Sequence, residues 1–132
     1  TVPLDFQALQ QAGSMLGSGA VVFVSANHDL LALGVNVARF FRNESCGKCV
    51  PCRVGSHKAV ELMDQALAGQ PATGLPALLA DLNATLAKTS ICGLGQVALA
   101  PLLSILQNFP DEAARLGPAT SPPTSHKPSE DA

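Results

Sequence analysis

Four cysteines are the residues of this chain best suited to chemistry. Cys46, Cys49 and Cys52 form a C-x2-C-x2-C run, and Cys92 lies well downstream of it. Three thiolates in one tight loop can each bind a different iron of a cubane, and a distant fourth thiolate can complete the ligand set. The pattern therefore predicts one [4Fe-4S] cluster bound by all four cysteines.

Two other uses of four cysteines stay open. A zinc site more often has two separated C-x2-C pairs, because four sulfurs must converge on a single ion. A disulfide framework needs an oxidising compartment, and the sequence does not begin with a secretory signal. The spacing favours the cluster over structural zinc and over disulfides, and it favours a cytoplasmic protein.

Residues beside the cysteines suit an anionic cluster. Gly47 and Gly93 would let the backbone approach the inorganic sulfides, and Pro51 lies inside the cysteine run. Lys48 and Arg53 would add positive charge that stabilises the reduced state, unless they are solvated loop charges. A helix predicted from about Arg53 would direct its unpaired N–H groups and positive dipole end towards the site.

Helical patterns flank the cysteines and must position them. Four helices are predicted, beginning at Asp29, near Arg53, near Pro76 and after Gly95, with a short turn from Pro110. The predicted inward-facing residues are Leu30, Leu33, Val37, Phe40 and Phe41 in the first helix, Val54, Val60, Met63 and Leu67 in the second, Leu79, Leu82 and Leu86 in the third, and Leu99, Leu102, Leu103 and Leu106 in the fourth. The expected fold is mainly α, a small four-helix bundle carrying one iron–sulfur cluster.

The two ends of the chain differ from this helical part. Residues 1–28 are interpreted as a connecting segment, the last portion of a preceding part of a larger subunit. In it, Asp5 is expected to cap a helical turn, Gly13–Gly19 to form a loop and Ala20–Val24 to form a short strand. Residues 29–116 are the predicted cluster-binding domain, and the proline-rich residues 117–132 are a predicted disordered tail.

Composition excludes several classes of function. Eight Lys+Arg against ten Asp+Glu give a net charge of −2, without the basic excess of a general nucleic-acid binder. The most apolar stretch, Val97–Leu106, is shorter than the roughly 20 residues that cross a bilayer, so direct membrane insertion is not expected. Only 14% of the residues are charged, against about 25% in ordinary domains, which suggests that a partner covers part of the surface.

The cysteine segment resembles a known family. Residues 40–55, Phe40 to Gly55, are similar to the E-S-C-G-x-C-x-P-C-R-x-G block of the NADH-binding flavoprotein subunit of respiratory complex I. Related beta subunits of NAD-dependent formate dehydrogenases and NAD-reducing hydrogenases have the same block. Thr89–Gln96 resembles that family's fourth-ligand segment, and Leu4–Phe6 with Gly13–Gly19 resembles the stretch before its cluster domain.

The resemblance implies a C-terminal helical domain whose [4Fe-4S] cluster accepts electrons from FMN bound in a larger N-terminal domain. It also implies that a [2Fe-2S] subunit and a larger iron–sulfur subunit are partners. The NADH- and FMN-binding regions are absent from this sequence, so the chain is not expected to oxidise NADH alone. The residues do not distinguish complex I from formate dehydrogenase or hydrogenase. A structural metal-stapled docking module is the alternative from another class.

Overall fold

The computed structural model describes residues 2–116, and within that range the chain is helical without a β-strand. The α-helices are α1 (Phe6–Gln11), α2 (Leu30–Asn43), α3 (Ser56–Leu67), α4 (Leu75–Thr89), α5 (Gly93–Val97), α6 (Ala100–Asn108) and α7 (Pro110–Ala114). A π-helical turn, Pro51–Gly55, leads directly into α3. The predicted mainly α fold is confirmed. The predicted disordered tail lies outside the described residues.

The four longer helices form one bundle. Helix α2 packs against α3 and α6, and α4 also contacts both α3 and α6. The interior between them is apolar, as burial of hydrocarbon surface requires. The leucine core consists of the buried residues Leu31, Val35, Ala38, Ala59, Val60, Leu62, Met63, Ala66, Leu75, Leu79, Leu86, Ala98, Leu99, Leu102, Leu103 and Leu116. No helix in the described range is both long and apolar enough to cross a membrane.

Helix boundaries follow the local signals in part. The Asp29 carboxylate accepts a hydrogen bond from the Ala32 N–H at 2.9 Å, which is the expected N-cap of α2. The second helix begins earlier than expected, with the π-helical turn from Pro51 rather than near Arg53. The fourth is divided into α5 and α6, because Pro101 has no N–H to donate to the carbonyl of Val97.

The predicted inward face of the first helix is shifted by about one residue, although Phe41 packs against the core as predicted. The buried residues of α2 are Leu31, Gly34, Val35 and Ala38, whereas the ring of Phe40 is 57% exposed. The close approach of α6 explains why this face of α2 is the buried one. A Cβ on Gly34 would lie only 2.9 Å from Cδ1 of Ile105, so α6 crosses α2 where its side chains are smallest.

The other predicted faces agree better with the structure. In the second helix Val60 and Met63 are buried, but Val54 and Leu67 are exposed. The leucines predicted for the third and fourth helices are all buried in the core or packed against it. In these helices the large apolar residues are mostly leucines at helical spacing, so their spacing identifies the buried face more clearly.

The predicted strand Ala20–Val24 is wrong. Asp5 does cap α1, accepting from the Ala8 N–H at 2.7 Å, and the loop glycines Gly13, Gly17 and Gly19 have positive φ. The residues after this loop form no ladder, and Phe23 is 94% exposed. A strand needs a neighbour for its backbone groups, and residues 2–116 supply none to this segment.

An ion-pair cluster links the first turn of α2 to α7. The Arg115 guanidinium donates to both carboxylate oxygens of Asp29, at 2.8 and 3.0 Å, and to Glu112 at 2.6 Å. The hydrogen bond from Arg115, followed by that from the Ala32 N–H, lowers the pKa of Asp29 to about 2. All three side chains are at the surface, so the cluster makes a small contribution to stability.

Candidate metal centre

Three structural elements carry the four cysteines. Cys46 and Cys49 lie in the loop between α2 and the π-helical turn, Cys52 lies inside that turn, and Cys92 is the residue immediately before α5. Cys52 is buried, Cys49 is half-buried, and Cys46 and Cys92 are exposed. We call the region formed by residues 44–56 and 90–96 the cysteine end of the bundle.

The structure brings Cys49 next to the segment of the fourth cysteine. The backbone N–H of Ile91 and then that of Cys52 lower the pKa of the Cys49 thiol. Ile91 directly precedes Cys92 in the chain. The cysteine run therefore lies close to the segment of the fourth cysteine, and the four-cysteine ligand set stays a prediction.

A second contact joins α5 to the π-helical turn. A Cβ built on Gly95 would lie 2.9 Å from Cβ of Cys52 and 2.6 Å from Oγ of Ser90. No side chain larger than hydrogen fits between these groups. Close packing therefore requires glycine at Gly95. At Gly93, by contrast, an added Cβ would meet nothing within 4 Å. The expected role of Gly93 beside the sulfides stays a prediction.

Hydrogen bonds fix the loop that carries the cysteine run. Gly47 turns with φ +73°, its N–H donates to Oγ of Ser45 at 3.3 Å, and its carbonyl accepts from Arg53 at 2.5 Å. Arg53 therefore ties the loop to the π-helical turn besides bringing charge. Lys48 is exposed, and Pro51 begins the turn, where its missing N–H has no cost.

The π-helical turn itself is held in place on α4. A Cβ on Gly55 would overlap Cδ1 of Leu86, so only glycine allows the turn to rest on this core leucine. The buried hydroxyl of Ser56 donates to the carbonyl of Cys52 at 2.6 Å. Together these contacts fix the backbone on both sides of the Cys52 thiol. π-Helical turns are frequent at functional sites.

The donor set fits an anionic sulfur cluster. Backbone N–H groups face Cys49, and the Ser45 hydroxyl lies 3.3 Å from Sγ of Cys52, where it can donate to a thiolate. Within residues 2–116, no three Cys, His, Asp or Glu side chains form a group suited to one metal ion. A cubane binds each thiolate to a different iron, so its ligands do not have to converge in that way.

Sequence reasoning overlooked several residues of this region. Ser45, Ser56 and Ser90 were not expected to contribute, although each is within four residues of a cysteine. Gly55 stood out only as part of the resemblance. Sequence proximity was the available signal, but serine is so common near loops and helix ends that position alone does not single it out.

A helical bundle with a cysteine run facing a fourth cysteine defines an iron–sulfur-binding domain. The chain belongs to the family described as the NADH-ubiquinone oxidoreductase-F iron-sulfur binding region, whose model matches residues 33–116. The matched region includes all four cysteines and every helix from α3 to α7. The resemblance found in the sequence is thereby confirmed.

Individual relatives agree with the family. The chain is 37% identical over 108 residues to the F 2 subunit of the NADH-quinone oxidoreductase of Rhizobium meliloti, covering 82% of the chain and 26% of the relative. It is 32% identical over 111 residues to the NADP-reducing hydrogenase subunit HndC of Solidesulfovibrio fructosivorans, covering 84% and 23%. It is 31% identical over 114 residues to the mitochondrial NADH-ubiquinone oxidoreductase 51 kDa subunit of Aspergillus niger, covering 86% and 23%.

The chain spans about a quarter of the length of these curated relatives. The similarity thus concerns the iron–sulfur-binding region and leaves most of each relative without a counterpart in this chain. Their names place them in quinone oxidoreductases and in a hydrogenase, which are multisubunit enzymes.

Proposed function

We propose that this chain is a [4Fe-4S] electron-transfer domain of an NADH-linked oxidoreductase, with Cys46, Cys49, Cys52 and Cys92 as its ligands. The observation that supports this most is the contact of Gly95, three residues after Cys92, with Cys52, where an added Cβ would lie 2.9 Å from Cβ of Cys52. This contact brings together two cysteine segments that are far apart in the chain. In a larger subunit, the domain accepts electrons from FMN bound elsewhere and relays them to the next iron–sulfur centre.

Bound at this site, a [4Fe-4S] cluster supplies reversible one-electron transfer. The chain's own residues prepare the ligands for it. The N–H groups that lower the pKa of Cys49 favour the thiolate, which is the form that binds metal. Ser45 can donate to Cys52, and donors to sulfur stabilise the added negative charge of the reduced state.

The surface beside the cysteines suits a covering partner domain. Val50, Val54 and Ile91 are exposed next to the ligand residues, and two of the cysteines are exposed as well. Such apolar surface around a redox site is typical of a face that another domain buries. We assign this face to the FMN- and NADH-binding part of the same subunit, which must lie within electron-transfer distance.

The N-terminal segment supplies a second contact with the rest of the subunit. Val21, Val22 and Phe23 expose apolar side chains in succession, and their backbone has no strand partner in residues 2–116. Contact with the preceding part of a larger subunit would bury these apolar side chains. The relatives are about three to four times as long as this chain and have room for such a part.

The assembly partners are proposed from the same resemblance. They are a [2Fe-2S] subunit and a larger iron–sulfur subunit, in a complex on the cytoplasmic side of the membrane. The relatives' names allow either a quinone oxidoreductase or a hydrogenase as the parent enzyme. An NAD-dependent formate dehydrogenase is the third candidate. NAD and FMN would bind in the larger N-terminal part.

Anaerobic reconstitution tests the cluster assignment. The full chain is incubated with ferrous iron and sulfide, and its iron, sulfide and zinc contents are measured with the EPR spectrum of the reduced form. The proposal expects a brown protein with a [4Fe-4S] complement. A colourless chain that binds zinc instead would support a structural metal module. Ser104→Ala, on the exposed face of α6, serves as the control variant that retains the cluster.

A further inference from the structure

Ser90 carries a buried hydroxyl for which the described part of the chain provides no hydrogen-bond partner. The residue is 6% exposed, and its Oγ is fully shielded from solvent. Burying a hydroxyl without a partner is unfavourable, so such a group in a well-packed region points to a partner other than residues 2–116.

This hydroxyl lies within the cysteine end. A Cβ built on Gly95 would lie 2.6 Å from Oγ of Ser90 and 2.9 Å from Cβ of Cys52. Ser90 also follows α4 and lies two residues before Cys92. The hydroxyl thus lies near the buried Cys52, on the segment that carries the distant Cys92.

The backbone of Ser90 is already fixed, which leaves the side chain as its one unsatisfied group. The Ser90 N–H donates to the carbonyl of Leu86 at 3.0 Å, and its own carbonyl accepts from Nε2 of Gln96 at 3.1 Å. The close contact with Gly95 restricts where the side chain can move. The hydroxyl is therefore held in a defined place rather than sampling several.

Neighbouring hydroxyls show what a merely structural serine or threonine does here. Ser56 donates to the carbonyl of Cys52, and Thr89 donates to the carbonyl of Thr85, both at 2.6 Å. Ser45 lies at hydrogen-bond distance from the sulfur of Cys52. Each of these groups has a partner among the described residues, whereas the Ser90 hydroxyl has none there.

We propose that the Ser90 hydroxyl donates a hydrogen bond to a sulfur of the bound cluster, either a sulfide or a ligand thiolate, and so raises its reduction potential. This inference rests on the proposed function, because the acceptor is present only when the cluster is bound. A donor to sulfur favours the more negative, reduced state, so removing it must lower the potential.

The test compares reconstituted wild-type chain with Ser90→Ala, Ser90→Thr and the control Thr89→Ala. Thr89 is the adjacent residue, and its hydroxyl is exposed and already paired. EPR-monitored redox titration gives the midpoint potential, and ENDOR in D2O detects exchangeable deuterons coupled to the cluster. We expect Ser90→Ala to lose one such deuteron and to be several-fold harder to reduce at a fixed potential. A tenfold change would correspond to about 59 mV for one electron.

Ser90→Thr retains the hydroxyl and should restore both the deuteron and the potential, while Thr89→Ala should change neither. If Ser90→Ala does not load, Ser90→Gly provides a second variant without the hydroxyl. A loaded variant with unchanged potential and unchanged deuteron coupling would overturn the assignment, even if its melting temperature fell. A wild-type chain that forms no cluster would instead overturn the proposed function, and the Ser90 assignment with it.

Discussion

The leucine core and the cysteine end are stabilised by different kinds of contact. The core is a continuous set of buried aliphatic side chains from α2, α3, α4 and α6, and it is complete within the chain. At the cysteine end, glycines allow backbones to meet at Gly55 and Gly95, and hydroxyl groups fix the loop. The buried hydroxyl of Ser90 at this end has no hydrogen-bond partner within residues 2–116.

The difference shows which part of the domain depends on a bound group. Aliphatic burial stabilises the core with or without metal. The cysteine end instead holds thiols and N–H groups, and the iron and sulfide of the proposed cluster would have to come from outside the chain. We therefore expect the two regions to respond separately to mutation and to removal of the cluster.

The largest effect should follow from losing a ligand. Replacing any one of the four cysteines by Ala should abolish the [4Fe-4S] cluster or convert it, although Ser can partly substitute as an oxygen ligand. The cluster acts as a cross-link between the cysteine run and Cys92, and its loss should cost on the order of a few kcal/mol. Iron and sulfide analysis of the four single variants measures the first effect.

NMR of the apo protein then tests the comparison directly. Resonances of residues 44–56 and 90–96 should broaden, while those of the core helices stay dispersed. Uniform loss of dispersion would show that the core also needs the cluster. An apo spectrum as well dispersed as that of the reconstituted protein, with the same melting temperature, would show that the cysteine end is ordered without it.

The next largest effect should come from the core alone. Leu79→Ala removes a fully buried side chain of α4 and should destabilise the protein by about 2–5 kcal/mol through lost burial and a residual cavity. Cluster content per folded molecule should stay at the wild-type level. Chemical denaturation and iron analysis of the folded fraction provide the two measurements, and a parallel loss of cluster would mean that the regions are coupled.

A smaller effect is expected where the two regions touch. Gly55→Ala would force the new Cβ onto Leu86 and should destabilise the protein by about 1–3 kcal/mol through overpacking. Leu86→Ala opens space at that point, so the double variant should be more stable than the sum of the single changes predicts. A double-mutant cycle measures this coupling. Strict additivity would mean that Gly55 and Leu86 do not meet as described.

The smallest effect should be the pH dependence of the ion pairs at the start of α2. Because the pKa of Asp29 is lowered to about 2, folding is favoured by its ionised form. That stability is fully present above pH ~4, the range of an unperturbed Asp, and it is lost as the pH falls towards 2. Since the pair is exposed, its contribution is about 0.2–1 kcal/mol.

Asp29→Asn isolates the charge, because Asn also caps helices well. The variant should show a shallower loss of melting temperature between pH 4 and pH 2 than the wild type. Asp81→Asn, on the exposed surface of α4, is the control whose acid profile should remain that of the wild type. Equal acid profiles for Asp29→Asn and wild type would show that the ion pair of Asp29 with Arg115 does not contribute to stability at low pH.

Much of this protein could be derived from its sequence by itself. The cap at Asp29 and the leucine stripes of α4 and α6 are local patterns, and each correctly indicated a helix. The cysteine spacing is also a local pattern, and the family match supports its interpretation as an iron–sulfur region. The family resemblance also rests on contiguous blocks of residues. Such patterns can be interpreted without a structure because they depend on residues that are close together in the sequence.

Only the tertiary structure decided the rest, because those features depend on what a residue meets across the fold. The inward face of α2 was settled by the approach of α6 at Gly34, and Ala20–Val24 failed to form a strand for want of a partner in the described chain. Ser90 is an ordinary residue in the sequence. Its hydroxyl became informative once packing had buried it beside Cys52 and Gly95 without a partner.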